Sequence, residues 1–133
     1  MRRDGILNPA LVEVLARLGH TDTLVIADAG LPIPPEVQRI DLALIPGGPG
    51  FMETLRAVLA ELPVERMTIA SEMEARSRRL YDEVIEVCAG ARIPVDSVMH
   101  EQFKLSTRKA TAVVRTGEVT PYANVILHAG VSF

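Results

Sequence analysis

Aromatic residues are scarce in this chain of 133 residues: Phe and Tyr together make up 4%, and there is no Trp. Proteins that bind polysaccharides or single-stranded nucleic acids use exposed aromatic side chains for stacking. The scarcity therefore argues against both of these functions. The hydrophobic fraction of 48% comes mostly from Val, Leu, Ala and Ile, so we expect an aliphatic core.

A strong excess of either charge is also missing. The chain carries 14 basic and 17 acidic residues, which gives a net charge of -3 and a pI near 5.6. A protein with this balance has no general attraction for phosphate backbones or anionic membranes. We therefore expect neither a nucleic-acid partner nor a membrane partner.

Cysteine occurs once, so an internal disulfide is excluded. Cys88 lies in the apolar row of a predicted helix with Val84 and Ile85, which favours a small core residue over a reactive thiol. No run approaches the roughly 20 apolar residues that span a bilayer, and no signal-like apolar segment follows the basic Met1-Arg2-Arg3. These absences predict a cytoplasmic protein.

Helix and strand patterns alternate from the beginning of the chain. Asn8-Pro9 is typical of a helix N-cap followed by proline at the first helical position. A β-branched, apolar strand is predicted over residues 23–27, and the proline-rich segment that follows Asp28 cannot continue it. Asp28 is therefore predicted at the carboxyl end of a strand, and His20 between a helix and that strand.

Five further strands are predicted downstream, at about 41–45, 66–71, 95–99, 110–115 and 124–129, with helices near 52–62, 78–89 and 103–104. A turn over 116–121 joins the last two strands, so we expect an antiparallel pairing at the end of the sheet. No linker or repeat interrupts the chain, and residues 1–133 are predicted to form a single domain. The prediction is an α/β fold with a mostly parallel sheet of about six strands covered by helices.

Side chains capable of acid-base chemistry or hydrogen bonding fall at the predicted strand ends. Because ligands of α/β sheets collect outside the carboxyl ends of strands, we expect several of Asp28, His100, Tyr122 and Asn124 to converge with His20 on one pocket. A histidine titrates near pH 6.5, which makes His20 a candidate general acid. The alternatives are a histidine that favours the negative end of a helix dipole, and an Asp28 that caps the amides of its turn.

Three other patterns give weaker signals. The Gly47-Gly48-Pro49-Gly50 turn before a helix could offer amides to an anion, but it lacks the spacing of known phosphate-binding loops, which favours a plain turn. The face formed by His100, Glu101 and Lys104 either grips a hydroxylated or anionic ligand or is simply solvated. The acidic and histidine side chains lack metal-ligand spacing, so no metal site is predicted.

A set of motifs spans the chain nearly from end to end. They are GILN (5–8), LGHTD (18–22), VIADAGLPIP (25–34), DLAL (41–44), HEQFK (100–104), RTGE (115–118) and PYANVIL (121–127). Together they resemble the D-ribose pyranase and L-fucose mutarotase family. Thr21 and the 30–34 turn resemble the ribose branch, whereas the 46–50 turn and the arginine-rich 76–79 segment depart from the family pattern.

The resemblance implies a cofactor-independent isomerase that interconverts pyranose and furanose forms of D-ribose by acid-base ring opening and reclosure. It implies His20 as the catalytic acid and Asp28, His100, Tyr122, Ala123 and Asn124 as sugar contacts. It also implies a ring-shaped homo-oligomer, typically a decamer of two stacked pentamers, with sites close to subunit boundaries. An L-fucose-type mutarotase and a non-catalytic monosaccharide-binding protein remain alternatives.

Overall fold

Six strands form one sheet in the computed structural model, which describes residues 1–133. The strands are β1 (Thr23–Ala27), β2 (Gln38–Asp41), β3 (Val64–Ala70), β4 (Val95–Val98), β5 (Ala112–Arg115) and β6 (Val125–Ala129). They are arranged in the order β2-β5-β1-β6-β3-β4, and only β6 runs antiparallel to its neighbours. The predicted α/β class with a mostly parallel six-stranded sheet is confirmed.

The antiparallel strand does not lie where the sequence predicts it. We expected an antiparallel pairing at the end of the sheet, next to the last predicted turn. Instead β6 lies in the interior between β1 and β3, and β5 pairs in parallel with β1 and β2. Val125, Ile126 and Leu127 are all buried, so β6 is stable where both faces of the sheet are covered.

Five α-helices cover the sheet: α1 (Pro9–Arg17), α2 (Phe51–Leu59), α3 (Glu72–Arg76), α4 (Arg78–Ala91) and α5 (His100–Ser106). The predicted N-cap of α1 is confirmed, because the Asn8 side chain accepts a hydrogen bond from the Leu11 amide at 2.9 Å. Helices α1, α2 and α4 pack on one sheet face, and Phe103 of α5 packs on the other. No helix combines the length and apolar character needed to cross a membrane.

Cys88 is a core residue, as predicted. Its side chain is buried in the larger apolar cluster, between helix α4 and the sheet. Burial raises the pKa of the Cys88 thiol to about 11. Because the thiolate is the nucleophilic form, this cysteine is unreactive at neutral pH.

The two ends of the strands define two opposite edges of the sheet. The carboxyl ends of β1 to β5 and the amino end of β6 meet at one of them, which we call the carboxyl edge. Asp28 follows β1 there, and His100 follows β4. His20 precedes β1 and therefore lies at the opposite, amino edge. The five residues of β1 alone separate the two edges by about 16 Å.

Candidate active site

An open pocket of about 600 Å³ lies at the carboxyl edge. Three parts of the chain line it: residues 28–32 after β1, residues 118–122 before β6, and His100 at the start of α5. The structure therefore brings the predicted residues Asp28, His100 and Tyr122 together. Pockets of this size are typical of small-molecule sites.

Asp28 is fixed at the pocket wall by Asn124. The Asn124 side-chain amide donates to Asp28 Oδ2 at 3.1 Å, and its oxygen accepts from the Asp28 backbone amide at 2.9 Å. The other carboxylate oxygen of Asp28 accepts from the Gly30 amide at 2.9 Å. Asp28 therefore caps its turn and also lines the pocket. Asn124 and Ala123 are fully buried beneath it, and Asn124 acts on the pocket through Asp28.

Tyr122 has a backbone conformation that is uncommon for a residue with a side chain. Its φ is 61°, in the left-handed region, which costs about 1–2 kcal/mol outside glycine. A hydrogen bond of 2.9 Å from the Asn124 amide to the Tyr122 carbonyl holds this turn. Strained residues of this kind cluster at ligand sites, where the surrounding structure holds them in place.

His100 is held between two aromatic rings. The Tyr122 ring meets it edge-on with 5.1 Å between centroids, and the Phe103 ring stacks at 6.3 Å. The Nδ1 atom of His100 is buried without a hydrogen-bond partner. A hydrogen there would be a buried donor without an acceptor, at a cost of about 1–3 kcal/mol. The Nδ1 lone pair of the other tautomer would be equally unpartnered, so His100 carries a polar atom that the chain itself leaves unsatisfied.

Glu118 is a pocket residue to which the sequence analysis gave no role. Its carboxylate accepts from the Phe51 amide at the start of α2 at 2.9 Å and from the Thr120 hydroxyl at 2.8 Å. Burial acts to raise the pKa of Glu118, but these hydrogen bonds outweigh it and the pKa lies below its ordinary value. The Phe51 amide, which follows the Gly47–Gly50 turn, thus donates to the chain's own carboxylate. No local pattern signals this contact, because 67 residues separate the partners.

Arg115 connects the end of β5 to the Asp28 turn. Its guanidinium donates to both carboxylate oxygens of Asp41, at 3.1 and 3.2 Å, and to the Ala29 carbonyl at 3.0 Å. Burial acts to raise the pKa of Asp41, but the Ala43 amide and Arg115 outweigh it and lower the pKa. The ion pair therefore persists at neutral pH and holds the backbone beside Asp28.

His20 lies outside this pocket. Its Nε2 atom is 2.9 Å from Glu65 Oε2 at the amino edge, and both side chains are about half exposed. Within one chain neither Asp28 nor His100 contacts His20, so the pocket unites Asp28, His100 and Tyr122 and does not include His20. Lys104 also lies outside the pocket and pairs with Glu101 at 2.8 Å on the surface. No group of three potential ligand side chains is arranged to hold a metal ion.

Comparisons with known proteins connect this architecture to sugar-binding enzymes. A protein called D-ribose pyranase from Geobacillus kaustophilus is 53% identical over 133 residues, which cover all of this chain and 96% of that protein. Another of the same name, from Bacillus cytotoxicus, is 48% identical over the full length of both.

Solved structures of sugar-bound proteins are similar to this chain as well. Bacillus subtilis RbsD complexed with D-ribose has a TM-score of 0.95 and 47% identity, with both chains fully covered. The Streptococcus pneumoniae fucose mutarotase in complex with L-fucose has a TM-score of 0.75 and 26% identity, over 96% of this chain and 95% of that one. Residues 1–132 match the model of the RbsD / FucU transport protein family. Because its fold and nearly its whole length agree with these relatives, the chain belongs to the RbsD / FucU transport protein family.

Proposed function

We propose that this protein is a cofactor-independent isomerase that interconverts the β-pyranose and furanose forms of D-ribose. The observation that carries the proposal is the full-length identity of about half to proteins called D-ribose pyranase. The pocket supports it, because Asp28 offers a carboxylate to sugar hydroxyls and the imidazole of His100 lies in the pocket lining.

The reaction requires one acid and one base. To open the ring, the ring oxygen gains a proton while the anomeric hydroxyl loses one, and reclosure on another hydroxyl changes the ring size. Nothing is oxidised or reduced, so the residues themselves suffice. Free sugars already interconvert slowly in water, and acid-base catalysis worth roughly 10²- to 10⁴-fold is an adequate contribution. In this proposal His20 is the acid, and Asp28, His100 and the 122–124 segment bind and orient the sugar.

The position of His20 requires a second chain. Because His20 and the pocket occupy opposite edges of the sheet, we propose that His20 of one chain completes the pocket of its neighbour. A ring with head-to-tail contacts joins two different edges in this way, which fits the proposed decamer of two stacked pentamers. Large apolar side chains are exposed at or near the carboxyl edge, as expected of a contact surface; they are Leu44, Ile45, Met99 and Val119.

Residues 1–133 are proposed to act as one cytoplasmic domain. Support for a single domain comes from the continuous sheet, whose strands are drawn from positions 23 to 129. The free, buried Cys88 is compatible with a reducing compartment.

NMR exchange spectroscopy on D-ribose tests the proposed activity. Catalytic amounts of the protein should accelerate magnetisation transfer between pyranose and furanose signals, and a folded His20→Ala variant should not. Broadened sugar signals without faster exchange would instead indicate a binding protein. The similarity to a fucose mutarotase makes L-fucose the second substrate to examine, and faster anomer exchange of L-fucose than of D-ribose would favour that function.

A further inference from the structure

We propose that Glu65 is a positioning residue for His20: it accepts the Nε2–H hydrogen of the imidazole and thereby leaves Nδ1 to exchange the proton with the sugar. The inference rests on the proposed function, because it assumes that His20 is the acid. It adds a residue to the site and assigns separate roles to the two nitrogens of the histidine.

Glu65 reaches His20 because the strand that carries it is irregular. In the pairing of β3 with β6, Val64 lies opposite Ala129 and Arg66 lies opposite His128. Adjacent residues of β6 thus face residues of β3 that are two positions apart, which makes Glu65 the extra residue of a β-bulge. Bulges redirect a side chain out of the regular alternation and occur frequently beside active sites. Here the redirected carboxylate lies 2.9 Å from His20 Nε2.

The turn that carries His20 is attached to the same end of β6. Thr21 donates to the Ala129 carbonyl at 2.9 Å, and the Ala129 amide donates to the Asp22 carbonyl at 2.8 Å. The Asp22 side chain accepts from the Gly19 amide at 2.8 Å and closes the turn around His20. Backbone contacts therefore fix the positions of the two residues whose side chains meet.

No other side chain forms a hydrogen bond with the His20 or Glu65 side chain. Arg66 donates to Asp96 at 2.5 Å and contacts His128 at 3.2 Å, so its charge is engaged away from Glu65. The nearby carboxylate of Asp22 is engaged with the Gly19 amide. Glu65 makes no other hydrogen bond or ion pair, and its charge also acts to raise the pKa of the neighbouring His128.

The chemistry follows from what each group can donate. An ionised carboxylate only accepts hydrogen bonds, so the ring nitrogen facing Glu65 must carry a hydrogen. In the protonated ring Nδ1 also carries one, and that proton passes to the ring oxygen of the sugar as the bond from C1 to this oxygen breaks. The anomeric hydroxyl gives its proton to a base or water. On reclosure another sugar hydroxyl attacks C1 and gives its proton to Nδ1, while the carbonyl oxygen regains a proton from the base or water. A carboxylate behind a catalytic histidine fixes its tautomer and orientation in the same way in other enzymes.

Kinetics provide the first test. Glu65→Ala should lower kcat for ribose exchange by roughly 10-fold or more, because removing the carboxylate that orients a catalytic histidine costs up to about 10⁴-fold in other enzymes. KM should stay within about twofold, because Glu65 does not line the pocket. Glu65→Gln retains an acceptor oxygen and should recover part of kcat. Glu86→Ala, an exposed glutamate of α4 without a hydrogen bond or ion pair, is the control and should match the wild type.

A spectroscopic test reads the contact independently of turnover. Solid-state ¹⁵N NMR of protein labelled at its three histidines, with His20 identified by its absence in His20→Ala, should show hydrogen on Nε2 at mildly alkaline pH. In Glu65→Ala the His20 signals should move towards those of free histidine. Unchanged His20 signals in Glu65→Ala, or a wild-type kcat for this variant, would overturn the inference. A wild-type protein without any ribose exchange would refute the proposed function instead.

Discussion

Removing the Asn124 side chain should weaken both the fold and the sugar site. Asn124→Ala deletes the donor to the Asp28 carboxylate and the acceptor for the Asp28 amide, both inside a fully buried position. A neutral hydrogen bond contributes about 1 kcal/mol and one to a charged group about 1.5–3 kcal/mol. The free energy of unfolding should therefore fall by about 2–4 kcal/mol.

The same change should impair catalysis, because Asp28 keeps only the Gly30 amide as an anchor. We expect kcat/KM for ribose exchange to fall by roughly 100-fold, the cost of misplacing a contact group by about 1 Å. The matched control is Asn8→Ala, since Asn8 is the only other asparagine and also accepts a backbone hydrogen bond. It should cost about 1 kcal/mol of stability and leave exchange unchanged. Wild-type thermal stability and wild-type kcat/KM in Asn124→Ala would refute the reasoning.

Three further predictions concern stability. In urea denaturation Gly117→Ala should destabilise the protein by about 1–3 kcal/mol or more, because its new Cβ would lie 2.6 Å from two carbonyl oxygens. The control Gly90→Ala in α4 places its Cβ in open space and should stabilise the protein by about 0.5–1 kcal/mol. Burial and Arg66 lower the pKa of His128, so the unfolded chain binds a proton at this histidine more readily than the folded chain. The contribution of His128 to the free energy of unfolding should be fully present above about pH 6.5 and decline below it. In His128→Gln this decline should be shallower. The lowered pKa of Glu118 affects stability at more acidic pH. The contribution of Glu118 to the free energy of unfolding should be lost as the pH falls from about 4.3 through the pKa of the folded protein. In acid titrations of unfolding, Glu118→Gln should lose less stability over this range.

Local patterns were sufficient for much of the fold. The Asn8-Pro9 cap and the apolar run of β1 depend on neighbouring residues, and both appear as predicted. The position of Asp28 after β1 follows from the same run, and the general rule on strand ends placed its pocket correctly. The second strand was displaced, at 38–41 instead of 41–45, because Ile40 provides the buried position while Leu44 is exposed.

Local sequence patterns could not predict the order of the strands in the sheet. The entry of β6 between β1 and β3 depends on packing across the whole sheet, and the periodicity of the strand itself is the same in either place. Contacts across long separations were missed for the same reason: Glu118 with Phe51 over 67 residues, and His20 with Glu65 over 45. The location of His20 at the amino edge, which follows from strand direction, is the reason for proposing a site shared by two chains.

Mixed assemblies test the central claim most directly. Chains carrying His20→Ala and chains carrying Asp28→Ala are co-expressed with different tags, co-purified, and compared by NMR exchange spectroscopy on D-ribose with each variant alone. Each variant alone should be inactive. If His20 and Asp28 come from neighbouring chains of a ring, about a quarter of the mixed interfaces join two intact halves, and about a quarter of the wild-type rate should return. Mixed assemblies that form but stay inactive would contradict a site shared by two chains.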